Sequence, residues 1–353
     1  MTTTKIQWTD AAIRQLVRPN ILNLKAYSSA RSEFKGKAEV LMDANESPFE
    51  TGMNRYPDPL ATEIRLELAR IKAVEPEQIM LGNGSDELVD YVTRIFCRPG
   101  EDAVIALPPT FGMYKVAAGL NDAEFISIPL TPDFHIPVTQ VEAAITERTK
   151  VLWICSPNNP SGNLMKRKDV EYLLGIFPGI VVLDEAYVEY TPEDSFVAEL
   201  DKYPNLIITQ TLSKAWGLAG IRLGAAYSSE LITGFMRTIK PPYNVNCLTQ
   251  KEALKQLRQP AQMQERVDFL VSERKRLATV LEQLDCVDHI FPSVTNFLLV
   301  RFTDGNAVYQ HLLGDGIVVR NQGAQPNCAN CLRITVGTTE ENERLIKRLN
   351  EFK

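Results

Sequence analysis

The amino-acid sequence predicts an α/β protein whose larger part is a doubly wound, mostly parallel sheet and whose smaller part is an α+β unit. Two observations lead to this fold class. In the middle of the chain, short β-branched runs alternate with segments that carry apolar residues at helical spacing, a pattern that favours parallel strands connected by helices. From about residue 246 the alternation stops, and a long helical stretch is followed by several short strand-like runs.

The larger part begins with a set of β-branched and apolar runs that predict strands. These runs lie at residues 102–107, 124–130, 150–155, 180–187, 205–211 and 224–228. Between some of them, apolar periodicity predicts helices at 86–97, 110–120 and 166–177. The segment IVVLD, which opens the fourth run, is apolar on both faces. We therefore expect this strand to be covered by other elements on both sides of the sheet.

The C-terminal part of the chain predicts the smaller α+β unit. A helical stretch spans residues 248–284 and is interrupted at Pro260. It is followed by predicted strands at 287–291, 296–302, 316–320 and 331–337 and by predicted helices at 305–314 and 339–352. The first 40 residues are polar and irregular. We therefore expect three segments: 1–40 as an N-terminal arm and part of the small domain, 41–245 as the large domain, and 246–353 as the small C-terminal domain.

Composition narrows the class of function. The chain of 353 residues has a net charge of −6 and a pI near 5.4, so it lacks the basic footprint that nucleic-acid-binding proteins usually carry. No apolar run reaches the roughly 18 to 20 residues of a membrane span. The sequence start lacks the apolar core and cleavage site of a signal peptide. We expect a cytoplasmic protein with no nucleic-acid or membrane partner.

The six cysteines are scattered and few for this length, which disfavours a disulfide framework. Cys328 and Cys331 have the spacing of a metal or redox pair, but a zinc site needs a second pair of ligands. The three histidines, His135, His289 and His311, do not supply that spacing. We therefore expect ordinary thiols near the start of a strand and no metal site.

The stretch TLSKAWGLAGIRLG places Lys214 among small hydroxyl residues, with Arg222 eight residues further on. A lysine amine condenses with an aldehyde, and burial lowers its pKa so that the neutral, nucleophilic form is available. Thr211, Ser213 and Arg222 would then bind a phosphate, the arginine through its planar fork. Taken alone, the stretch is equally typical of a surface lysine that follows a strand.

Two further stretches place backbone and amide groups where open α/β sheets bind ligands. LGNGSDEL, at 81–88, combines Gly82 and Gly84 with the start of a helix, and free N–H groups at a helix start bind phosphates. CSPNNPSG, at 155–162, is a rigid loop that projects asparagine amides. Each stretch alone also fits an ordinary turn rich in Gly, Asn and Pro.

A fourth stretch, VVLDEAYVEY at 181–190, places an acidic pair at the end of an apolar strand. A buried charge is costly unless it has a partner. Asp184 is well placed to hold a positively charged ring nitrogen, and Tyr187 offers a phenol three residues later. Taken alone, the acidic pair also fits a strand end that caps a helix.

Together, the four stretches predict a pyridoxal 5′-phosphate site. This cofactor needs a phosphate cradle, an acid for its pyridine nitrogen, polar partners for its phenolic oxygen and a lysine for its aldehyde. The lysine holds the cofactor, and the acid keeps the electron sink protonated. We therefore expect Lys214 to carry pyridoxal phosphate.

The sequence resembles the fold type I pyridoxal-phosphate aminotransferases and, within them, the histidinol-phosphate aminotransferase family. The resemblance covers nearly the whole chain and follows the family's order. Its markers are LMDANESPF, NRYPDP, PPTFGMY, CSPNNPSG, DEAYVEY, TLSKAWGLAGIRLG and CLRITVGT. It implies a seven-stranded sheet in the large domain and places the cofactor there. The chain departs from the family at Ser47, Phe111 and Ser161, where Asn, Tyr and Thr are frequent. The changes at Ser47 and Phe111 do not touch the lysine chemistry.

The resemblance implies a role for each residue around the cofactor ring. Lys214 binds the aldehyde carbon and moves a proton between the substrate α-carbon and the cofactor C4′ atom. Asp184 pairs with the ring nitrogen, and Asn159 and Tyr187 bond to the phenolic oxygen. Phe111 stacks on the ring.

The resemblance also implies how the phosphate and the substrates are bound. The phosphate lies among Gly84, Ser85, Asp86, Thr211, Ser213 and Arg222. Tyr56 reaches the phosphate in the neighbouring subunit, which implies an obligate homodimer with shared active sites. Arg333 binds the anionic group of each substrate. The implied neighbours in the substrate pocket are Asn159, Arg320, Tyr27 and Asn45.

The reaction implied by the resemblance is a transamination in histidine biosynthesis. Glutamate gives its amino group to imidazole-acetol phosphate, and L-histidinol phosphate and 2-oxoglutarate are formed. Two alternatives on the same scaffold stay open: an aromatic or broad-specificity aminotransferase, and a phosphothreonine decarboxylase that releases carbon dioxide. A reading from another class, a ligand-sensing domain of a regulator, is expected to come with a basic helix-turn-helix segment.

Overall fold

Seven strands form the central sheet of the computed structural model, which describes residues 6–27, 33–34 and 39–352. The strands are β1 Ile79–Asn83, β2 Ala103–Ala106, β3 Glu124–Ser127, β4 Thr149–Cys155, β5 Ile180–Asp184, β6 Leu206–Thr211 and β7 Leu223–Tyr227. They lie in the order β1-β7-β6-β5-β4-β2-β3. Of these strands, β7 runs antiparallel to both neighbours, and the remaining pairs are parallel. The predicted α/β fold with a seven-stranded, mostly parallel sheet is confirmed.

The helices alternate with these strands and then dominate the C-terminal part. Their bounds are α1 Asp10–Leu16, α2 Pro19–Leu22, α3 Thr62–Lys72, α4 Ser85–Phe96, α5 Met113–Leu120, α6 Val138–Ala143, α7 Arg167–Ile176, α8 Glu230–Ile239, α9 Cys247–Leu257, α10 Pro260–Leu281, α11 Gly305–Gly314 and α12 Thr339–Asn350. Among the described residues, none of these helices is both long and apolar enough to cross a membrane.

The central strands are apolar on both faces, and an apolar core covers each face of the sheet. In β5, Val181 and Leu183 belong to the apolar core on one face of the sheet, whereas Ile180 and Val182 belong to the core on the other. Burying both faces of the strand removes its apolar side chains from water, as expected for a parallel strand. Because β4, β5 and β6 are parallel neighbours, their carboxyl ends meet at one edge of the sheet.

The smaller unit is a four-stranded antiparallel sheet with helices against it. Its strands are β8 Val287–Ile290, β9 Phe297–Phe302, β10 Arg320–Asn321 and β11 Cys331–Thr335, in the order β10-β11-β9-β8. Leu277 of α10 and Leu345 of α12 pack with Val300 of β9 in its apolar core. The predicted α+β character of this part is confirmed.

The first 40 residues are not uniformly irregular, and that part of the prediction is wrong for residues 10–22. This segment forms α1 and α2, which begin with Thr9 accepting a hydrogen bond from the Ala12 N–H, at 3.2 Å. Ile13, Val17 and Ile21 are buried in the apolar core on one face of the central sheet. The four-residue spacing of these residues, with Ile13 in α1, Val17 at its C-terminal cap and Ile21 in α2, places apolar side chains on the buried side of a mostly polar segment.

The predicted strand at 316–320 is also wrong over most of its length. Only Arg320 and Asn321 pair with the neighbouring strand β11. Val318 is 78 % exposed, whereas Ile317 and Val319 are half-buried against the apolar core of the smaller unit. β-branched residues favour strands chiefly where they can pack, and this segment has no such neighbour for Val318.

Apolar packing is continuous across the predicted domain boundary between residues 245 and 246. Helix α9 follows the boundary, yet its Ala253 and Leu257 are buried in the same core as Leu81 and Ile208 of the central sheet. The division into 1–40, 41–245 and 246–353 therefore remains a prediction.

Candidate active site

A cavity of about 160 Å³ lies at the edge of the sheet where β4, β5 and β6 end and helix α4 begins. Side chains from widely separated parts of the sequence line it: Ser85, Asp86, Phe111, Cys155, Asn159, Asp184, Ala186, Tyr187, Thr211, Ser213, Lys214, Ala219 and Arg222. The four stretches singled out in the sequence thus meet in one place. The carboxyl edge of an open α/β sheet is where such folds bind ligands.

One end of the cavity is formed by the start of α4. Gly84 precedes the helix with a positive φ of 78°, and no side chain caps the first turn. The first N–H groups of the helix, beginning at Ser85 and Asp86, are therefore left for an anionic ligand. The αL residue Arg222 (φ 55°) places its guanidinium Nη2 atom 3.2 Å from Asp86 Oδ2.

Gly84 is favoured at this position by its positive φ and by the closeness of the Arg222 side chain. A Cβ atom at Gly84 would lie 2.5 Å from Arg222 Nη2, well inside van der Waals contact. A side chain would also be strained at this φ. Glycine therefore allows the Arg222 guanidinium to lie close to the backbone at the start of α4.

Two hydroxyl groups complete this end of the cavity. The Thr211 hydroxyl, at the end of β6, donates to Ser213 Oγ at 3.0 Å, and the Ser213 N–H donates to Thr211 Oγ1 at 3.2 Å. The turn from β6 thereby holds both hydroxyls beside Lys214. Hydroxyls, helix N–H groups and one guanidinium together suit a phosphate.

Lys214 projects into the middle of the cavity. Its Nζ atom lies 5.6 Å from the centroid of the Tyr187 ring. Burial lowers the pKa of the Lys214 ammonium below its usual value, and the charge of Arg333 lowers that pKa further, whereas Asp184 and Asp86 oppose the shift. The neutral, nucleophilic amine is therefore more accessible here than on the surface.

The two acidic residues at the carboxyl end of β5, Asp184 and Glu185, have different environments. Asp184 is buried and lines the cavity; its Oδ2 accepts a hydrogen bond from the Tyr114 hydroxyl at 2.5 Å, and its Oδ1 accepts one from the Ala186 N–H at 3.2 Å. Burial raises the pKa of this carboxyl, and the Tyr114 bond opposes the rise. Asp184 is thus a carboxylate held at the bottom of the cavity.

Glu185 instead belongs to the fold. Its Oε1 accepts from the Phe196 N–H at 2.7 Å, and its Oε2 accepts from the Ser195 hydroxyl at 2.7 Å and the Gln210 amide at 2.9 Å. The side chain does not line the cavity. Asp184 therefore belongs to the site, whereas Glu185 holds the loop after β5 in place.

The predicted anion-binding arginine lies beside the cavity. Arg333, on β11, donates a hydrogen bond from Nη1 to Asn159 Oδ1, and its guanidinium lies 5.5 Å from the centroid of the Phe297 ring. Burial lowers the pKa of Arg333, and the charge of Arg320 acts in the same direction. Arg320 is the register partner of Arg333 across β10 and β11, so two cations lie next to each other.

Three predicted residues are not brought to the Lys214 cavity of the same chain. Asn45 and Tyr56 line a separate depression, where the Tyr56 ring stacks on Tyr243 with centroids 4.4 Å apart. Tyr27 is 72 % exposed and lines neither depression. The roles implied for Tyr27, Asn45 and Tyr56 at the cofactor and the substrate therefore stay predictions.

Sequence reasoning missed four residues at or beneath the cavity. Cys155, Ala186 and Ala219 line it, and Tyr114 lies below Asp184. Cys155 ends β4 and is close to the predicted asparagine loop, so its position in the sequence could have indicated it. The role of Tyr114 depends on its contact with a residue 70 positions away, which no local pattern records.

Cys328 and Cys331 do not line this cavity. Both are buried free thiols, and Cys331 begins β11. Within the described residues, no group of three or more His, Cys, Asp and Glu side chains is arranged to hold a metal ion.

The fold and the cavity define a class of enzyme, and the family comparison agrees. The model of the family "Aminotransferase class I and II" matches residues 20–349. The chain therefore belongs to the class I and II aminotransferases, whose fold type I members use pyridoxal phosphate as cofactor.

Within that class, the chain belongs to the histidinol-phosphate aminotransferase family. It is 49 % identical over 341 residues to a histidinol-phosphate aminotransferase of Bacteroides fragilis strain YCH46, an alignment that covers 96 % of this chain and 99 % of the relative. The resemblance inferred from the sequence motifs is confirmed.

Two solved structures share the fold. The histidinol-phosphate aminotransferase of Clostridium acetobutylicum aligns with a TM-score of 0.78 at 22 % identity, covering 85 % of this chain and 91 % of that one. The L-threonine-O-3-phosphate decarboxylase of Porphyromonas gingivalis aligns with a TM-score of 0.72 at 26 % identity, covering 84 % and 93 %. The scaffold is thus similar to those of a transaminase and a decarboxylase.

Proposed function

We propose that this chain is a pyridoxal-phosphate-dependent transaminase that moves an amino group between L-histidinol phosphate and 2-oxoglutarate. In the biosynthetic direction, the substrates are imidazole-acetol phosphate and L-glutamate. The observation that carries the proposal is the cavity around Lys214, which combines a lysine of lowered pKa, a buried carboxylate and a phosphate cradle. The 49 % identity to a histidinol-phosphate aminotransferase over almost the full chain supports the choice of substrate.

The residues present fit the ring of pyridoxal phosphate. Asp184 would hold the pyridine nitrogen, because it is the buried carboxylate at the bottom of the cavity. Asn159 and Tyr187 would bond to the phenolic oxygen, and Phe111 would cover one face of the ring. All four residues line the same cavity as Lys214.

The residues at the other end fit the cofactor's phosphate. The uncapped start of α4 after Gly84 supplies the N–H groups of Ser85 and Asp86. Thr211, Ser213 and Arg222 add two hydroxyls and a guanidinium. Asp86 also pairs with Arg222, so the guanidinium is held in place from two sides once an anion binds.

Lys214 is the residue that we propose to perform the proton transfer. When bound, pyridoxal phosphate supplies an electron sink for the substrate's α-carbon. Lys214 would attach the cofactor through its amine. Once freed by a substrate amine, that amine would move a proton between the substrate's α-carbon and the cofactor's C4′ atom. A lowered pKa serves this role because the amine must act as a base near neutral pH.

Arg333 is proposed to bind the anionic group of each substrate. Histidinol phosphate presents a phosphate and glutamate presents carboxylates, and a guanidinium binds both through parallel N–H bonds. Arg333 is half-buried and already oriented by Asn159. Arg320, its register partner, adds positive charge to the same region. We propose Arg320, Tyr27 and Asn45 as pocket neighbours of the substrate.

We further propose that the enzyme is a homodimer in which Tyr56 reaches the neighbouring subunit's phosphate site. Supporting this, Tyr56 and Asn45 line a depression away from their own Lys214. The same segment exposes large apolar side chains: Met42 is 89 % exposed and Phe49 78 %. Such a surface is typical of an interface with a second copy.

Mixing two inactive variants tests the shared site. In a hybrid of Lys214→Ala and Tyr56→Ala chains, one site regains both an intact lysine and an intact partner tyrosine. After subunit exchange, half of the dimers are hybrids with one good site, so about a quarter of the wild-type activity is expected. No recovery, or a monomer in sedimentation analysis, would show that Tyr56 does not serve a neighbouring subunit.

The cytoplasm is the compartment that we propose for this enzyme. All six cysteines are free thiols in the structure, which is typical of proteins in a reducing compartment. Fractionation of cells that express the full chain would check this placement.

The substrate is tested by adding L-histidinol phosphate, phenylalanine or phosphothreonine separately to the cofactor-loaded protein. The expected result is rapid conversion of the cofactor's absorbance to the pyridoxamine form with histidinol phosphate alone. A faster response to phenylalanine would identify an aromatic aminotransferase. Release of carbon dioxide from phosphothreonine, with the cofactor left in its aldehyde form, would identify a decarboxylase.

A further inference from the structure

Tyr114 is a buried tyrosine that lies directly below the cavity and does not line it. It is the second residue of α5, and its ring stacks on Trp153 of β4 with centroids 4.7 Å apart and planes 11° apart. Its hydroxyl donates to Asp184 Oδ2 at 2.5 Å. The phenol therefore contacts the carboxylate without lining the cavity.

The position of this hydroxyl matters because Asp184 is fully enclosed. Burial raises the pKa of the Asp184 carboxyl, which favours the neutral acid. A neutral acid holds a protonated ring nitrogen poorly. The Tyr114 O–H and the Ala186 N–H donate to the two carboxylate oxygens, and such bonds stabilise the ionised form. Burial also raises the pKa of the Tyr114 phenol well above its usual value, so the hydroxyl remains a donor.

We propose that Tyr114 is a positioning residue that keeps Asp184 ionised and oriented toward the cofactor's ring nitrogen. This inference rests on the proposed function, since it assigns a partner to the residue that holds the cofactor. Tyr114 acts through Asp184 and does not touch the cofactor. Its ring is already fixed by Trp153 and by the edge of Phe111, whose centroid lies 5.7 Å away.

The test compares two ligands that differ only at the ring nitrogen: pyridoxal phosphate and its analogue with carbon at that position. Tyr114→Phe removes the hydroxyl and keeps the stacked ring. We expect this variant to bind pyridoxal phosphate about tenfold more weakly as apoenzyme, the scale of a lost hydrogen bond to a charged group. Its affinity for the carbon analogue should change by less than about twofold, because Asp184 has no nitrogen to hold.

Tyr227→Phe is the matched control. Tyr227, at the end of β7, is another fully buried tyrosine that does not line the cavity. Removing its hydroxyl should leave both affinities unchanged. Adding Tyr114→Phe to an Asp184→Asn background should weaken pyridoxal phosphate binding no further, since the two residues act as a unit.

Several results would overturn the inference. Equal weakening of both ligands would mean that Tyr114 only shapes the cavity. Unchanged binding of pyridoxal phosphate by a folded Tyr114→Phe variant would mean that its hydroxyl does not support Asp184. If the wild-type protein itself binds the two ligands equally, Asp184 does not hold the ring nitrogen, and the proposed cofactor geometry fails together with the inference. In the first two cases the proposed transaminase activity is unaffected.

Discussion

Asp184 lines the cavity whereas its neighbour Glu185 does not, and this difference leads to a specific prediction for Glu185. Replacing Glu185 by Ala removes the acceptor of three hydrogen bonds, from the Phe196 N–H, the Ser195 hydroxyl and the Gln210 amide. Glu185 is 1 % exposed, so water cannot replace the lost acceptor without a rearrangement. The substitution leaves the cavity lining intact.

The size of the expected destabilisation follows from the hydrogen-bonding groups that Glu185→Ala leaves without a partner. The Ser195 hydroxyl can rotate toward solvent, because Ser195 is only half-buried. The Phe196 N–H and the Gln210 amide remain buried, and each unsatisfied group costs about 1 to 3 kcal/mol. The cavity left by the lost side chain adds to this cost. Glu185→Ala should therefore lower the free energy of unfolding by about 3 to 5 kcal/mol.

Glu185→Gln provides the matched comparison. The glutamine keeps an oxygen for the Phe196 N–H. Its new amide group can donate to Gln210 Oε1, a buried oxygen that has no hydrogen-bond partner among the described residues, once the Gln210 amide turns over. The exchange also removes a buried charge whose pKa is raised by burial. The free energy of unfolding should therefore stay within about 1 kcal/mol of the wild-type value.

Urea denaturation followed by circular dichroism measures both free energies, and cofactor absorbance reports on the site. Glu185→Gln should bind pyridoxal phosphate as the wild-type protein does, whereas Asp184→Asn should remain folded and bind it more weakly. The reasoning is refuted if Glu185→Ala unfolds within about 1 kcal/mol of the wild type, or if Glu185→Gln loses the cofactor.

Three further substitutions test the cavity itself. Lys214→Ala should lower the transamination rate by about a hundredfold to ten-thousandfold, and borohydride should no longer attach the cofactor to the chain; covalent labelling at another lysine would contradict the assignment. Arg333→Ala should reduce kcat/KM by about tenfold to a hundredfold in both half-reactions, measured by single-turnover absorbance; an effect on one half-reaction alone would exclude a shared anion clamp. Gly84→Ala should weaken pyridoxal phosphate binding by about tenfold and destabilise the fold by about 1 to 3 kcal/mol, because the new Cβ meets Arg222 Nη2 at 2.5 Å and φ is +78°; unchanged affinity in equilibrium dialysis would show that this close approach does not shape the phosphate site.

The sequence predicts the fold well where burial and local pattern agree. The strand IVVLD is apolar on both faces and occupies the middle of the sheet as β5. The run GIVVR at 316–320 has similar residues, but only Arg320 and Asn321 pair with a neighbour. Its composition could not reveal that no packing surface covers Val318, because that depends on tertiary contacts.

The candidate site was predictable to the extent that its residues follow strand ends. Asp184, Asn159 and Lys214 come from three such segments and line one cavity. The sequence analysis assigned Asp184 to the site, but it gave no role to Glu185, because that role depends on hydrogen bonds to Ser195, Phe196 and Gln210. Tyr114 was not predictable for a related reason: in an apolar helical segment a tyrosine is typical of core packing, and its contact with Asp184 arises only when its ring stacks on Trp153 of β4.

The most direct test of the central claim follows the amino group itself. The cofactor-loaded enzyme is incubated with 2-oxoglutarate and L-histidinol phosphate labelled with heavy nitrogen at its amine, and the products are identified by mass spectrometry. Our account predicts labelled glutamate together with imidazole-acetol phosphate, and no labelled glutamate with Lys214→Ala. Unlabelled 2-oxoglutarate recovered intact from the wild-type reaction, with histidinol phosphate unchanged, would contradict it.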